Sequence, residues 1–123
     1  MYYTDAESLI SDDYKIQKRI EGKEFALCYD DYDVDALVAK DIASCGVSLV
    51  RRDNGHGIHL DFTGFHTLVL WTPPRKHSPF ICLEPWNGLP AYTNESGVFE
   101  EKPLIIKLPA GDTYRVGYSV TLI

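Results

Sequence analysis

Apolar residues in this chain occur in short runs, separated by turns that are rich in glycine, proline, asparagine and aspartate. Several runs alternate apolar with polar residues, which is the pattern of a strand with one buried face. No segment carries the apolar stripe, repeating about every 3.6 residues, of an amphipathic helix. The pattern therefore predicts an all-β, antiparallel, sandwich-like fold.

The positions of the turn residues predict β-hairpins. Residues 14–20 are expected to pair with 24–29 across Gly22, and residues 46–52 with 56–62 across Asp53-Asn54-Gly55. In the second hairpin the Asn-Gly step supplies the positive φ angles that a tight turn requires. A last hairpin joins 104–108 to 113–122 around 109–112. Its second strand is expected to turn five residues toward the core: Tyr114, Val116, Tyr118, Val120 and Leu122.

Residues 65–71 are apolar on both faces, which is typical of a central strand. After a loop at 72–76, the apolar run 80–83 predicts a short strand that presents Glu84 at its end. Pro85 is expected to stop this strand because proline has no amide hydrogen. Glu84 could then line a pocket beside Trp86, or it could be a solvated carboxylate where the chain leaves the sheet.

Composition narrows the class of protein. With 123 residues, of which 45% are hydrophobic and 24% charged, residues 1–123 are expected to form one domain, with 1–13 as a poorly ordered or irregular lead-in. The net charge of −6 argues against binding to nucleic acids or to anionic membranes. No run is apolar enough to span a bilayer, and no signal-peptide pattern follows Met1. The cysteines, Cys28, Cys45 and Cys82, are not spaced as a disulfide framework or a metal site would require. We therefore expect each of them to be a small buried apolar side chain, and the protein to be cytoplasmic.

Several segments, taken in order, follow the pattern of a known superfamily. They are Asp35-Ala36-Leu37-Val38, Val47-Ser48-Leu49, residues 62–65 running to Leu70-Trp71-Thr72, the string 80–88 and the tail 102–112. Together they resemble the C-terminal half of the aldose 1-epimerase (galactose mutarotase) superfamily, in particular its LacX-like branch. The string Phe-Ile-Cys-Leu-Glu-Pro-Trp is the most specific piece of the resemblance.

The resemblance implies a fold and a reaction. Members of the superfamily fold as a large β-supersandwich and interconvert the anomers of free aldoses by opening and reclosing the pyranose ring, without a metal or an organic cofactor. By motif position Glu84 resembles the general base that removes the proton from the C1 hydroxyl, and Asp35 resembles an acceptor for sugar hydroxyls. Trp71 and Trp86 would present apolar faces to the sugar. The alternatives are an acidic loop residue for Asp35 and core side chains for the two tryptophans.

One part of the superfamily pattern has no match. The family's catalytic histidine stands in a Gly-x-His-Pro-like segment upstream of everything matched, and the histidines of this chain (His56, His59, His66 and His77) are each expected to be surface or strand residues. His66 is the one that a neighbouring strand could bring to Glu84. The chain alone is therefore expected to be a weak or inactive catalyst.

Two functions remain open from the sequence. One is an aldose 1-epimerase-like protein that binds a small aldohexose, and the other is a non-catalytic β-sandwich module that binds carbohydrate or protein. Half of a supersandwich would also expose strand edges and an apolar face. We therefore expect either a homodimer or a missing N-terminal half to cover them.

Overall fold

The computed structural model describes residues 2–3, 9–10, 24–33 and 35–123. Within this part of the chain the elements are β-strands and two short 3₁₀ turns, Tyr29–Tyr32 and Phe99–Glu101, which confirms the all-β prediction. The strands are β1 (Tyr2–Tyr3), β2 (Leu37–Lys40), β3 (Gly46–Val50), β4 (Gly57–Asp61), β5 (Thr67–Trp71), β6 (Cys82–Trp86) and β7 (Ser119–Leu122). No helix in the described ranges is long and apolar enough to cross a lipid bilayer.

The strands form two antiparallel sheets. The first has the order β1-β2-β5-β6 and the second the order β3-β4-β7. As its apolar run predicts, β5 is a central strand, and four of its five residues are buried. In the described part of the chain, β6 is an edge strand of the first sheet and β7 is an edge strand of the second.

The two sheets pack face to face through an apolar cluster. Leu68 and Leu70 of β5 enter it from the first sheet. Leu60 of β4 and Phe62, just after that strand, enter it from the second sheet. Leu37 of β2 and Tyr32 of the first 3₁₀ turn also belong to it. Phe62 is 0% exposed, and burying a side chain of this size stabilises the fold by about 1.5–3 kcal/mol. This core confirms the sandwich arrangement.

The hairpin predicted around Asn-Gly is confirmed, because β3 and β4 pair along their whole length. Its turn differs from the expected tight form, since only Gly55 has a positive φ, of 76°. The Gly55 N–H donates to the Arg51 carbonyl oxygen at 3.0 Å. Asn54 contributes through its side chain, whose Oδ1 accepts the His56 N–H at 3.0 Å.

The first predicted hairpin can be compared with the structure only in its second strand, residues 24–29, and that strand is not formed. Residues 14–20 lie outside the described residues, and the expected strand at 24–29 is wrong. Residues 24–28 have no regular structure and Tyr29 begins a 3₁₀ turn. Phe25 packs on the core between the sheets while Leu27 and Cys28 are exposed, so this apolar run has no continuous buried face.

The predicted C-terminal hairpin is also wrong. Residues 105–109 and 112–118 form no ladder, and β7 pairs with β4 instead. The side chains expected in the core are exposed, Tyr118 by 65% and Leu122 by 83%. In the ladder Val120 lies opposite the buried Leu60, so alternation correctly predicts which side of the sheet Val120 faces. Val120 is nevertheless exposed, because the core does not extend over β7.

Candidate functional site

Glu84 lies in the middle of β6 and not after the end of a strand. The predicted strand at 80–83 is wrong in its bounds, because β6 begins at Cys82 and continues through Pro85 to Trp86. Proline is tolerated here because β6 is an edge strand, whose outer side needs no amide donor. Pairing with β5 therefore holds the Glu84 backbone in place, and its side chain is half-buried.

The face of the first sheet that is turned away from the core between the sheets is called the outer face here. By alternation it carries Val38, Lys40, Thr67, Val69, Trp71, Cys82, Glu84 and Trp86. In the β5–β6 ladder Glu84 lies opposite Val69, and Cys82 lies opposite Trp71. Directly opposite side chains have Cβ atoms about 4.5–5.5 Å apart. The structure therefore brings Glu84, Trp71 and Trp86 to one face.

Asp35 is tied to the same face by a hydrogen bond. The Trp71 Nε1–H donates to Asp35 Oδ1 at 2.9 Å, across 36 positions of sequence. The contact forms because Asp35 lies just before β2, and β2 pairs with the strand that Trp71 ends. The Phe80 ring lies 6.5 Å from the Trp71 ring, tilted by 52°. A carboxylate beside two aromatic rings suits a sugar, which has both hydroxyls and apolar C–H groups.

The middle of the outer face is covered by other parts of the chain. Val38 and Val69 are each 1% exposed, and Ile10 and Leu89 pack over them. Trp71 and Trp86 also pack against this cluster. Each tryptophan is therefore partly a core side chain, which was the alternative to a role in sugar binding.

What stays accessible is the margin of the face, where Asp35, Trp71, Cys82 and Glu84 are all half-buried. We call these residues the open margin. A ligand there would meet polar groups and an indole.

Cys82 is the member of the open margin whose chemistry the sequence pattern did not indicate. Burial raises the pKa of its thiol, and the Glu84 carboxylate raises it further by charge repulsion and by accepting a hydrogen bond from it. Cys82 is half-buried, while Cys28 and Cys45 are exposed, so the expectation of buried cysteines is wrong for those two. The sequence signal for this contact was the i, i+2 spacing of Cys82 and Glu84, which places both side chains on the same face of a strand.

A hydrogen bond attaches the covering segment, residues 89–104, to the first sheet, and an ion pair lies within the segment. The Lys40 ammonium donates to the Tyr92 hydroxyl at 3.2 Å. Lys102 Nζ donates to both carboxylate oxygens of Glu95, at 3.3 and 3.2 Å. The Tyr92 backbone N–H, more than Lys102, lowers the pKa of Glu95 against an opposing effect of burial. No local sequence signal marks Lys40 and Tyr92 as neighbours, because they lie 52 positions apart.

Two of the histidines lie in the second sheet or its turn. His59 belongs to β4, and its Nδ1 is 2.9 Å from Ser48 Oγ on β3. His56 is exposed in the β3–β4 connection. Neither is on the sheet that carries Glu84.

The other two histidines lie near the first sheet. His77 stacks on the Tyr29 ring, with centroids 4.7 Å apart. His66 is exposed and directly precedes Thr67, whose side chain shares the face of Glu84, so alternation directs His66 to the opposite face. A meeting of His66 with Glu84, which neighbouring strands could have allowed, is therefore not what the fold produces. In the described ranges no three His, Cys, Asp or Glu side chains are grouped closely enough to hold a metal ion.

Comparison with known proteins gives two similar sequences, both from Lactococcus lactis subsp. lactis. Protein LacX (plasmid) and Protein LacX (chromosomal) are each 37% identical to this chain over 101 residues, which is 82% of the chain and 33% of the relative. No family model matches the chain. No solved structure matches it significantly. The chain is thus similar to the LacX proteins over most of its own length, and it spans about one third of theirs.

Proposed function

We propose that this chain is an aldose 1-epimerase-like, carbohydrate-binding protein whose sugar contacts lie at the open margin. The observation that carries the proposal is that Glu84 shares a sheet face with Trp71, whose indole is hydrogen-bonded to Asp35. The 37% identity to the LacX proteins over 101 residues supports it, together with the resemblance of the chain's segments to the LacX-like branch that the sequence suggested.

Each residue has a role in this proposal. The Glu84 carboxylate is the general base that removes the proton from the C1 hydroxyl of an aldohexose. Asp35 accepts a hydrogen bond from a sugar hydroxyl, and the indole of Trp71 holds it in place for that contact. Trp71 in the open margin, and Trp86 two positions after Glu84 on β6, offer apolar surface to the C–H groups of the ring.

Ring opening also needs a proton at the ring oxygen. His56 and His59 belong to the second sheet or its turn, alternation directs His66 away from the face of Glu84, and His77 stacks on Tyr29. Removing one proton-transfer partner typically lowers a rate by about 10²–10⁴-fold. We therefore expect this chain to bind a sugar and to accelerate its mutarotation weakly or not at all. The complete reaction is proposed for a protein of full LacX length.

The test is mutarotation followed by optical rotation, with α-D-glucose or α-D-galactose as substrate. Any rate above the spontaneous one is expected to vanish in Glu84→Gln, and galactose binding, read from tryptophan fluorescence, is expected to weaken. The control is Glu100→Gln, an exposed carboxylate in the second 3₁₀ turn. A folded parent chain that shows neither binding nor rate enhancement would remove the proposal.

A second candidate is a non-catalytic β-sandwich module that binds carbohydrate or protein. The observation that favours it is the covered middle of the outer face, where Val38 and Val69, the residue opposite Glu84, are each 1% exposed. In that case Glu84→Gln would change ligand affinity no more than Glu100→Gln does. The same pair of variants therefore separates the two functions.

A further inference from the structure

Cys82 and Glu84 are neighbours on the outer face. They are two positions apart on β6, so their side chains project to the same side of the strand. Across the ladder Cys82 lies opposite Trp71, the residue that binds Asp35. The thiol is therefore placed between the Glu84 carboxylate and the Trp71–Asp35 pair.

The chemistry of the two groups makes the thiol a donor to the carboxylate. A neutral thiol can donate its S–H weakly, whereas an ionised thiolate has no proton and can only accept. Burial and the Glu84 charge both raise the pKa of Cys82, so the thiol stays protonated at neutral pH and is able to donate to the Glu84 carboxylate on the same side of β6. Asp35 is the other charged group at this margin, while Trp71 and Phe80 are uncharged neighbours.

We propose that Cys82 is a positioning residue for Glu84, orienting the carboxylate toward the Trp71–Asp35 end of the open margin, where the sugar lies. The role of Glu84 in this inference rests on the proposed function. The contact between the two side chains does not, and it can be tested without any sugar.

The contact is tested by alkylation of the thiol with iodoacetamide. In a Cys28→Ser, Cys45→Ser background only Cys82 reacts, and its rate follows the thiolate fraction. Glu84→Gln removes the repelling charge, so alkylation near pH 8 is expected to become about three- to tenfold faster. Asp35→Asn is the matched control and is expected to leave the rate close to that of the parent. Equal rates in Glu84→Gln and the parent, both folded by circular dichroism, would overturn the inference.

The positioning role is tested by two substitutions of Cys82. Cys82→Ser keeps a donor and is expected to retain the pH midpoint of galactose binding or mutarotation, whereas Cys82→Ala is expected to shift that midpoint and weaken galactose binding about threefold. Identical pH profiles for Cys82→Ala and the parent would overturn the positioning role. A parent chain that binds no galactose, together with alkylation that depends on Glu84, would instead remove the proposed function while leaving the Cys82–Glu84 contact established.

Discussion

At the scale of single residues, a charge-assisted hydrogen bond joins Trp71 at the end of β5 to Asp35, just before β2. Such hydrogen bonds are stronger than those between neutral groups. A half-buried donor that loses its acceptor destabilises the folded state by part of the free energy of removing it from water. The same contact determines which way the Asp35 carboxylate faces the open margin. It therefore links the stability of the sheet to the proposed sugar site.

We expect Asp35→Ala to lower the free energy of unfolding by about 1–2 kcal/mol, because the indole N–H loses its acceptor. Asp35→Asn keeps a side-chain oxygen and should cost less. Urea unfolding followed by tryptophan fluorescence measures both. In a Trp71→Phe background, which has no indole donor, the Asp35→Ala effect should shrink. An undiminished effect there would show that the hydrogen bond is not the cause.

At the scale of elements, the β3–β4 hairpin depends on two glycines for different reasons. Gly55 has a φ of 76° in the turn, where a side chain is strained whatever space surrounds it. Gly57, at the start of β4, has an ordinary φ, but a Cβ there would overlap the backbone carbonyl oxygen of Leu49. Gly57 also exchanges both backbone hydrogen bonds with Ile123, at 2.7 and 2.9 Å. Its position therefore determines how the C-terminal strand joins the second sheet.

Three alanine substitutions distinguish these causes. Gly55→Ala should lower the free energy of unfolding by about 1 kcal/mol through backbone strain. Gly57→Ala should cost about 1–3 kcal/mol, because the strands must separate to relieve the overlap. Gly117→Ala is the control: no atom lies within 4 Å of its Cβ position, so little change is expected. Thermal unfolding of the three variants ranks their losses of stability. A Gly57→Ala variant as stable as the parent would contradict the close approach of β3 and β4.

At the scale of the whole molecule, the sandwich core ends before the last part of the chain. Large apolar side chains in this part are exposed, namely Ile106, Leu108, Tyr114, Val116, Tyr118, Val120, Leu122 and Ile123. They accompany β7, an edge strand whose outer side has no partner in the described part of the fold. Exposed apolar surface next to an open strand edge promotes association.

We propose that the chain forms a homodimer through β7 and the apolar residues beside it. Light scattering over a range of concentrations should give a mass above that of a monomer, which is 13.9 kDa. Leu122→Lys, which puts a charge on the apolar side of β7, should shift the equilibrium toward monomer. Thr121→Lys, on the opposite side of the same strand, should shift it less. A compact monomer at high concentration would refute the proposal.

Much of the architecture could be predicted from local pattern. Turn residues and alternation are properties of short segments, so the antiparallel class, the hairpin around Gly55 and the central place of β5 followed from them. Prediction failed where a segment's partner decides its structure. Residues 24–28 have strand-like composition but no strand to pair with in the described part, and β7 joins β4 in place of the segment that precedes it in sequence.

For the candidate site, the residue types were determined by the sequence and their assembly by the tertiary structure. Glu84, Trp86, Trp71 and Asp35 stand out as chemical groups in the sequence itself. Only strand pairing brings them to one sheet face, because an antiparallel ladder joins residues far apart along the chain. The extent of β6 through Pro85, the cover over Val69 and the direction of His66 all depend on which strand lies at an edge and which face is packed. Local sequence determines what a segment can pair as, and long-range packing decides its partner and which of its faces remains open to a ligand.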